Sequence, residues 1–296
     1  MEMDVINWFP GHMTKATRMV QKQLGLVDVV VELLDARIPY SSSNPAFKDI
    51  IGNKPCVVAL NKIDLADAKI ANKWLEYYKN EGHRVVTIDS LEGRGLKELI
   101  KEIEKATSDK MAKLAAKNIK NRSIRAMILG IPNVGKSSLI NRLSGSSIAR
   151  TGNKPGVTKG QQWIKASKNL EFLDTPGILW PKFEDQTVAF KLAIVGSIRD
   201  EIFNIEKVGA ALVAFLAYKY EDRLEKRYRL TLPLPTEPDE ILELIAKKRG
   251  FLKSGGIADI AKAQKTVLTE FRSGKLGNFT LDDPDEIFEI QGEIKT

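Results

Sequence analysis

One cysteine, two histidines and no apolar stretch near the ~18 residues of a membrane-crossing helix are what this chain has least of. Cys56 has no partner for an internal disulfide, and its place in the apolar run Pro55–Leu60 suits a buried strand thiol. The opening Met1-Glu2-Met3-Asp4 has neither a basic start nor an apolar core, so export is not expected. No lipidation motif is visible, which disfavours a peripheral membrane role. Internal repeats and low-complexity tracts are missing too. These absences favour a cytoplasmic protein.

What is present fits an ordinary globular protein. Hydrophobic residues make up 43% and charged residues 28%, and 296 residues suffice for two domains. The formal charge of +8 is unevenly spread. Residues 110–125 carry six basic side chains and no acid, residues 247–275 carry eight against two, and residues 281–296 reverse the sign with six acids against one lysine. Basic stripes of this kind suit a polyanionic partner, and they also suit solvated faces.

Short apolar runs at Val27–Leu34, Pro55–Leu60, Arg84–Ile88 and Arg125–Leu129 predict strands of a mostly parallel sheet. Helical stretches such as Asp67–Asn80 and Leu96–Ala106 lie between them, and Gln161–Ala166 with Asn169–Leu173 predicts a hairpin. The alternation implies a doubly wound α/β fold with ligands at the carboxyl ends of strands. Beyond Pro181 only helical periodicity remains, over Gln186–Ile198, Ile205–Tyr220, Asp239–Lys248 and Ile257–Phe271. Two domains are therefore expected: α/β over residues 1–180 and all-helical over residues 181–296.

The stretch Gly130-Ile-Pro-Asn-Val-Gly-Lys-Ser137 fits GxxxxGK[ST] between a strand and a helix. Glycines let backbone N–H groups face phosphate oxygens at a helix N-terminus. The expected phosphate contacts are Gly130, Asn133, Val134, Gly135, Lys136, Ser137 and Ser138, with Lys136 on the β- and γ-phosphates and Ser137 on Mg²⁺. Asp174-Thr-Pro-Gly177 follows a predicted strand, so Asp174 can hold Mg²⁺ through water and the Gly177 N–H can sense a γ-phosphate. Thr158, in the Gly-containing loop 151–160, supplies a hydroxyl that can close on the same metal. Asn61-Lys-Ile-Asp64 also follows a strand. The Asp64 carboxylate can accept the ring N–H and the amine of guanine, Asn61 supports the loop, and the Lys62 stem can cover the ring. Ser90-Leu91 fits the remaining base-contact loop, through a backbone N–H. GTP and GDP are the expected ligands.

The order of these motifs is unusual, because the guanine motif precedes the phosphate loop. In this order the chain resembles the YlqF/YawG family of circularly permuted GTPases. Within it, Trp8-Phe-Pro-Gly-His-Met13 and Asp35-Ala-Arg-Ile-Pro39 are similar to the bacterial ribosome biogenesis GTPase A group. The resemblance runs along the whole chain. It implies a permuted P-loop GTPase domain followed by a helical domain that contacts rRNA. The implied partners are the large ribosomal subunit, its rRNA and its ribosomal proteins, with no DNA, and a monomer is expected. A GTP-regulated module serving another RNA or subunit, with incidental hydrolysis, is the alternative.

Many relatives carry a water-orienting glutamine after the Asp-x-x-Gly glycine; here Ile178 stands there. Slow intrinsic turnover, with help from elsewhere, follows from that, and the resemblance implies stimulation by the ribosomal particle. His12 in the shared N-terminal motif either orients water or anchors the N-terminus. The expected catalytic set is His12, Lys136, Thr158 and Gly177. Asn133 matches the asparagine of potassium-dependent members, which implies a K⁺ beside the phosphates. Asp35 and Arg37 end a strand on the nucleotide face, where pairing with each other and contact with ligand are both open. Lys110, Lys113, Lys117 and Lys120 share one face if the helix continues through them, making a candidate phosphate-contacting stripe.

Overall fold

β-Branched and aliphatic runs bounded by turn residues give six strands in a computed structural model, which describes residues 11–119, 122–145, 163–173, 175–179 and 185–291. The strands are β1 (Val29–Asp35), β2 (Cys56–Asn61), β3 (Arg84–Thr87), β4 (Ile124–Leu129), β5 (Trp163–Ser167) and β6 (Leu170–Leu173). They form one sheet in the order β3-β2-β1-β4-β6-β5. All neighbours are parallel except the hairpin β5–β6. β1 and β4 lie in the middle with Val29, Val30, Val31, Leu33, Ala126, Met127 and Ile128 buried, as continuous apolar runs predict for a sheet covered on both faces. Their pairing, Val29 with Ala126 through Glu32 with Leu129, joins the two halves of the motif order into one sheet. Cys56 opens β2 only partly buried; burial, then the Glu32 charge, pushes its thiol up to about 12 and keeps it protonated.

The helices are α1 (Gly11–Leu24), α2 (Pro39–Ser42), α3 (Pro45–Ile51), α4 (Ala68–Asn80), α5 (Leu96–Ala116) and α6 (Lys136–Ser144), then α7 (Gln186–Ile194), α8 (Ile205–Lys219), α9 (Glu221–Tyr228), α10 (Pro238–Arg249), α11 (Ile260–Arg272) and α12 (Pro284–Gln291). Their ends follow local chemistry. Asp67 caps α4 by accepting from the N–H groups of Lys69 and Ile70, and Asn204 caps α8 the same way through Glu206 and Lys207. Pro45 and Pro238 stand in first turns, where a missing N–H costs nothing.

α5 is ten residues longer than the periodicity predicts, yet it stops at Ala116, and Asn118 takes a left-handed φ of 58°. The stripe expectation is corrected accordingly. Lys117 is a cap residue, Lys120 lies outside the described residues, and Lys110 pairs with the fully buried Asp28 at 2.6 Å. Lys113 and Lys117 are exposed.

The chain forms two compact units, and the boundary near residue 180 is not the only one. Of the described residues, one unit holds those from 11 to 179 together with 279–291, and the other holds 185–278. The expected single division at 180/181 therefore misses a return. The backbone N–H of Phe279 donates to Leu65 O at 3.0 Å, and that of Leu281 to Arg37 O at 2.7 Å. Asp282 is fully buried and accepts from the Ser41 N–H and hydroxyl at 2.7 and 2.9 Å, while Trp74 Nε1 donates to its carbonyl at 2.7 Å. Ile287 of α12 packs against the cluster of Leu34, Leu60, Ala71 and Trp74.

The second unit packs α7, α9, α10 and α11 around α8. Val208, Leu212, Val213, Leu216, Ile245, Val267 and Phe271 fill its core. Arg272 donates to the carbonyls of Ala193 and Ile194 at the end of α7, where a cation suits the helix dipole.

Candidate nucleotide-binding site

In a parallel sheet the loops at the carboxyl ends of adjacent strands converge, and β1, β2, β3 and β4 all deliver polar residues there. β4 runs into the Gly130–Gly135 loop. Two of its residues, Asn133 (φ 57°) and Gly135 (φ 110°), are left-handed, a backbone form that turns successive N–H groups inward as an anion nest. A side chain at Gly135 would collide with Asn61 Nδ2, so the loop after β2 can approach only because this residue is glycine. α6 begins at Lys136 with no acid in its first turn, leaving its N-terminal dipole to a ligand. Lys136 is buried, and its Nζ donates to the carbonyls of Gly130 and Ile131 at 3.0 and 2.7 Å. Ser137 and Ser138 are half-buried on that first turn.

The second loop is bound tightly to the first. Asn61 is fully buried; its Nδ2 donates to Val134 O at 2.7 Å and to Ser90 Oγ at 3.1 Å, and its Oδ1 accepts from the Ser90 N–H. One asparagine thus joins the loops after β2, β3 and β4. Lys62, at φ 61°, donates to Asn133 O at 2.8 Å and to Asp35 Oδ2 at 2.9 Å. Asp64 is half-buried in a single 3₁₀ turn, and burial, followed by the charge of Asp89, raises its pKa. Leu91 exposes its side chain, and the Leu91 and Glu92 N–H groups both donate to Asp89 Oδ1, at 3.0 Å each.

Gly177 packs on the phosphate loop. A Cβ there would lie 2.8 Å from the Pro132 backbone and 3.0 Å from Lys136 Nζ. The next residue, Ile178, donates its N–H to Gly130 O at 3.2 Å and buries its side chain, so it presents no polar group to a ligand. Gly130–Ser138, Asn61–Asp64, Ser90-Leu91 and Gly177 are therefore brought together. Thr158, Asp174 and the side chain of His12 lie outside the described residues.

Sequence reasoning left three supports out of the site: Asp35, Asp89 and Arg142. Asp35 and Arg37 pair with each other, at 2.9 and 2.7 Å, both buried. Burial alone would raise the Asp35 pKa, but Arg37 and Lys62 hold it well below the carboxylate range. Asp89 directly precedes Ser90, and its short side chain suits a turn that binds its own backbone. Arg142 Nη2 reaches Glu92 O at 2.6 Å from α6, a contact no local pattern announces.

Comparison with known proteins sets these loops in a family. A family model described as "50S ribosome-binding GTPase" matches residues 125–229, so Asn61–Asp64 precedes the match. A protein of Priestia megaterium named "Ribosome biogenesis GTPase A" is 50% identical over 282 residues, covering 95% of this chain and 98% of that one. A Thermotoga maritima protein of the same name is 35% identical and covers 97% and 98%. The crystal structure of GNP-bound YlqF from T. maritima superposes with a TM-score of 0.64 at 31% identity, covering 92% of this chain and 99% of that one. The phosphate loop, the base-side loop locked to it and relatedness over nearly the full length lead to one conclusion: the chain belongs to the ribosome biogenesis GTPase A family and is a GTPase.

Proposed function

We propose that this GTPase acts in late maturation of the large (50S) ribosomal subunit, binding rRNA in its GTP form and leaving after hydrolysis. The observation that carries the reading is full-length relatedness to proteins named for ribosome biogenesis, with a family model described by 50S binding. The helical unit supports RNA as the partner. Its α10–α11 segment exposes Lys248, Lys253, Lys262 and Lys265 beside the solvent-facing Leu252 and Ile257, a mixture of cations and apolar contact surface. The bacterial relatives support a cytoplasmic setting.

In the site, Asp64 would read guanine, the Gly130–Ser138 loop would hold the phosphates and the Gly177 N–H would meet the γ-phosphate. Mg²⁺ fits the donor chemistry: the Ser137 hydroxyl is a hard oxygen ligand, with Asp174, Thr158, phosphate and water to complete the shell. Asn133, left-handed and exposed at the loop's edge, would place K⁺ beside the phosphates. The buried Ile178 leaves water orientation to other groups, His12 among them.

The test compares single-turnover GTP hydrolysis alone and with immature large subunits, mature large subunits, small subunits or free rRNA at matched salt. Immature large subunits should accelerate hydrolysis at least about tenfold, with binding that falls steeply as salt rises. Reversing the charges of Lys248, Lys262 and Lys265 together should remove that acceleration and leave the intrinsic rate unchanged. Equal stimulation by all particles, or none by any, refutes the proposal.

A further inference from the structure

The pair Asp35–Arg37 belongs to no nucleotide motif, yet its carboxylate reaches into one. Asp35 ends β1 directly beside Asn61, its register partner on β2. Oδ1 accepts from the Arg37 N–H and Nε, at 3.1 and 2.9 Å, and Oδ2 accepts from Arg37 Nη2 at 2.7 Å. That fork would satisfy a buried carboxylate alone. Oδ2 is nevertheless shared with Lys62 Nζ, at 2.9 Å, and the same ammonium donates to Asn133 O in the phosphate loop at 2.8 Å. Lys62 is thereby held at its Cα by a left-handed backbone and at its far end by two acceptors on two different loops. Its methylene stem, otherwise among the most mobile of side chains, has a single course between them.

We propose that Asp35 is a positioning residue for the nucleotide: it holds the Lys62 ammonium on the Asn133 carbonyl, so that the base-side loop and the phosphate loop close as one rigid frame. The inference rests on the reading of Asn61–Asp64 as the base-side loop. Buried ion pairs contribute little net stability when their desolvation is counted, so a third charged partner is better explained by what it orients than by what it adds to folding. The Asp35 turn is itself braced from outside. Thr280 Oγ1 donates to Ala36 O at 3.3 Å, the Leu281 N–H donates to Arg37 O, and the Asp35 N–H donates to Ser42 Oγ at 3.0 Å.

A double-mutant cycle on the full chain decides the matter, with release of a fluorescent GDP as the readout and thermal melting of the nucleotide-free protein as a separate measure of fold. Lys62→Met should speed release about tenfold, and Asp35→Asn should do nearly the same. Together they should be no faster than Lys62→Met alone, because Asp35 acts through Lys62. GTP hydrolysis should show a raised KM with kcat nearly kept, the sign of lost binding common to ground and transition states. If Asp35→Asn does not fold, Asp35→Glu, which keeps the charge but displaces it, replaces it in the cycle. An equal factor for the Asp35 variant with and without Lys62 overturns the proposal, since Asp35 would then act only through the fold. Fast release in Lys62→Met with wild-type release in Asp35→Asn also overturns it, while leaving the base-side loop assignment intact. Unchanged release in Lys62→Met removes that assignment as well.

Discussion

At Asp64 the surroundings work against ionisation. Burial and the charge of Asp89 both raise its pKa, while Arg94, paired with Asp89 at 2.7 Å, offsets part of that. Guanine presents two N–H donors to an ionised carboxylate, so its binding should favour the ionised form of Asp64. GDP affinity should therefore fall as pH drops through this raised pKa, because the protonated acid loses one acceptor. Asp64→Asn should weaken guanine-nucleotide binding by about 2–3 kcal/mol and favour xanthine nucleotides, whose oxygen replaces the amine. Titration calorimetry with GDP and XDP checks both statements, and unchanged GDP affinity would show that Asp64 does not read the base.

Element by element, the strands were the most legible feature. Val29–Val31 and Ala126–Leu129 are apolar without alternation because both sheet faces are covered, and that leaves a plain signal. α2 and α3 escaped notice because four and seven residues hold too little periodicity to register. The meeting of the Gly130–Ser138 and Asn61–Asp64 loops was foreseeable from their places after strands of one parallel sheet, since such loops share an edge. The Asp35–Lys62 contact was not, because it depends on how β1 and β2 align. The lysine stripe failed for a related reason: the helical period said nothing of where α5 would stop, nor of the buried Asp28 that takes Lys110.

β1 also carries Glu32, whose carboxyl burial raises to about 7 against a lowering bond from Ser43 Oγ at 3.2 Å. Between about pH 4.5 and 7 the native protein then binds more protons at this site than the unfolded chain, so its contribution to stability falls as pH rises. Glu32→Gln should flatten that slope and stabilise the protein at pH 8, relative to pH 5, by about 1–3 kcal/mol. Denaturant melts at the two pH values measure it; identical slopes in both proteins would mean that Glu32 stays ionised throughout.

For the molecule as a whole, the segment from Phe279 makes the helical unit an insertion. The chain enters it after Gly177 and Ile178, which lie on the phosphate loop, and leaves it to dock at Leu65 and Arg37, beside the base-side loop. This return was hidden in the sequence because its acidic composition reads as a solvated tail. Lys73 in fact pairs with Asp283 and Asp285, and Asp282 is wholly buried. Asp282→Ala should strand the Ser41 N–H and hydroxyl, costing about 1–3 kcal/mol. Scanning calorimetry should show the α/β transition lowered by a few degrees, on the order of 2–4 °C per kcal/mol. No change in that transition would show that the segment from Phe279 contributes nothing to the stability of the α/β unit.

The same contact has a meaning in time. Ser41 and Asp282 are 241 residues apart. At roughly 5–20 residues per second of synthesis, the Ser41 turn waits on the order of 10–50 s for its buried carboxylate. Every strand, the phosphate loop and the base-side loop are already made by then, but the turn that carries Asp35 still lacks Thr280, Leu281 and Asp282. A nascent chain of this protein should therefore hold GDP loosely until Thr280, Leu281 and Asp282 emerge, so that firm nucleotide occupancy reports a braced Asp35 turn.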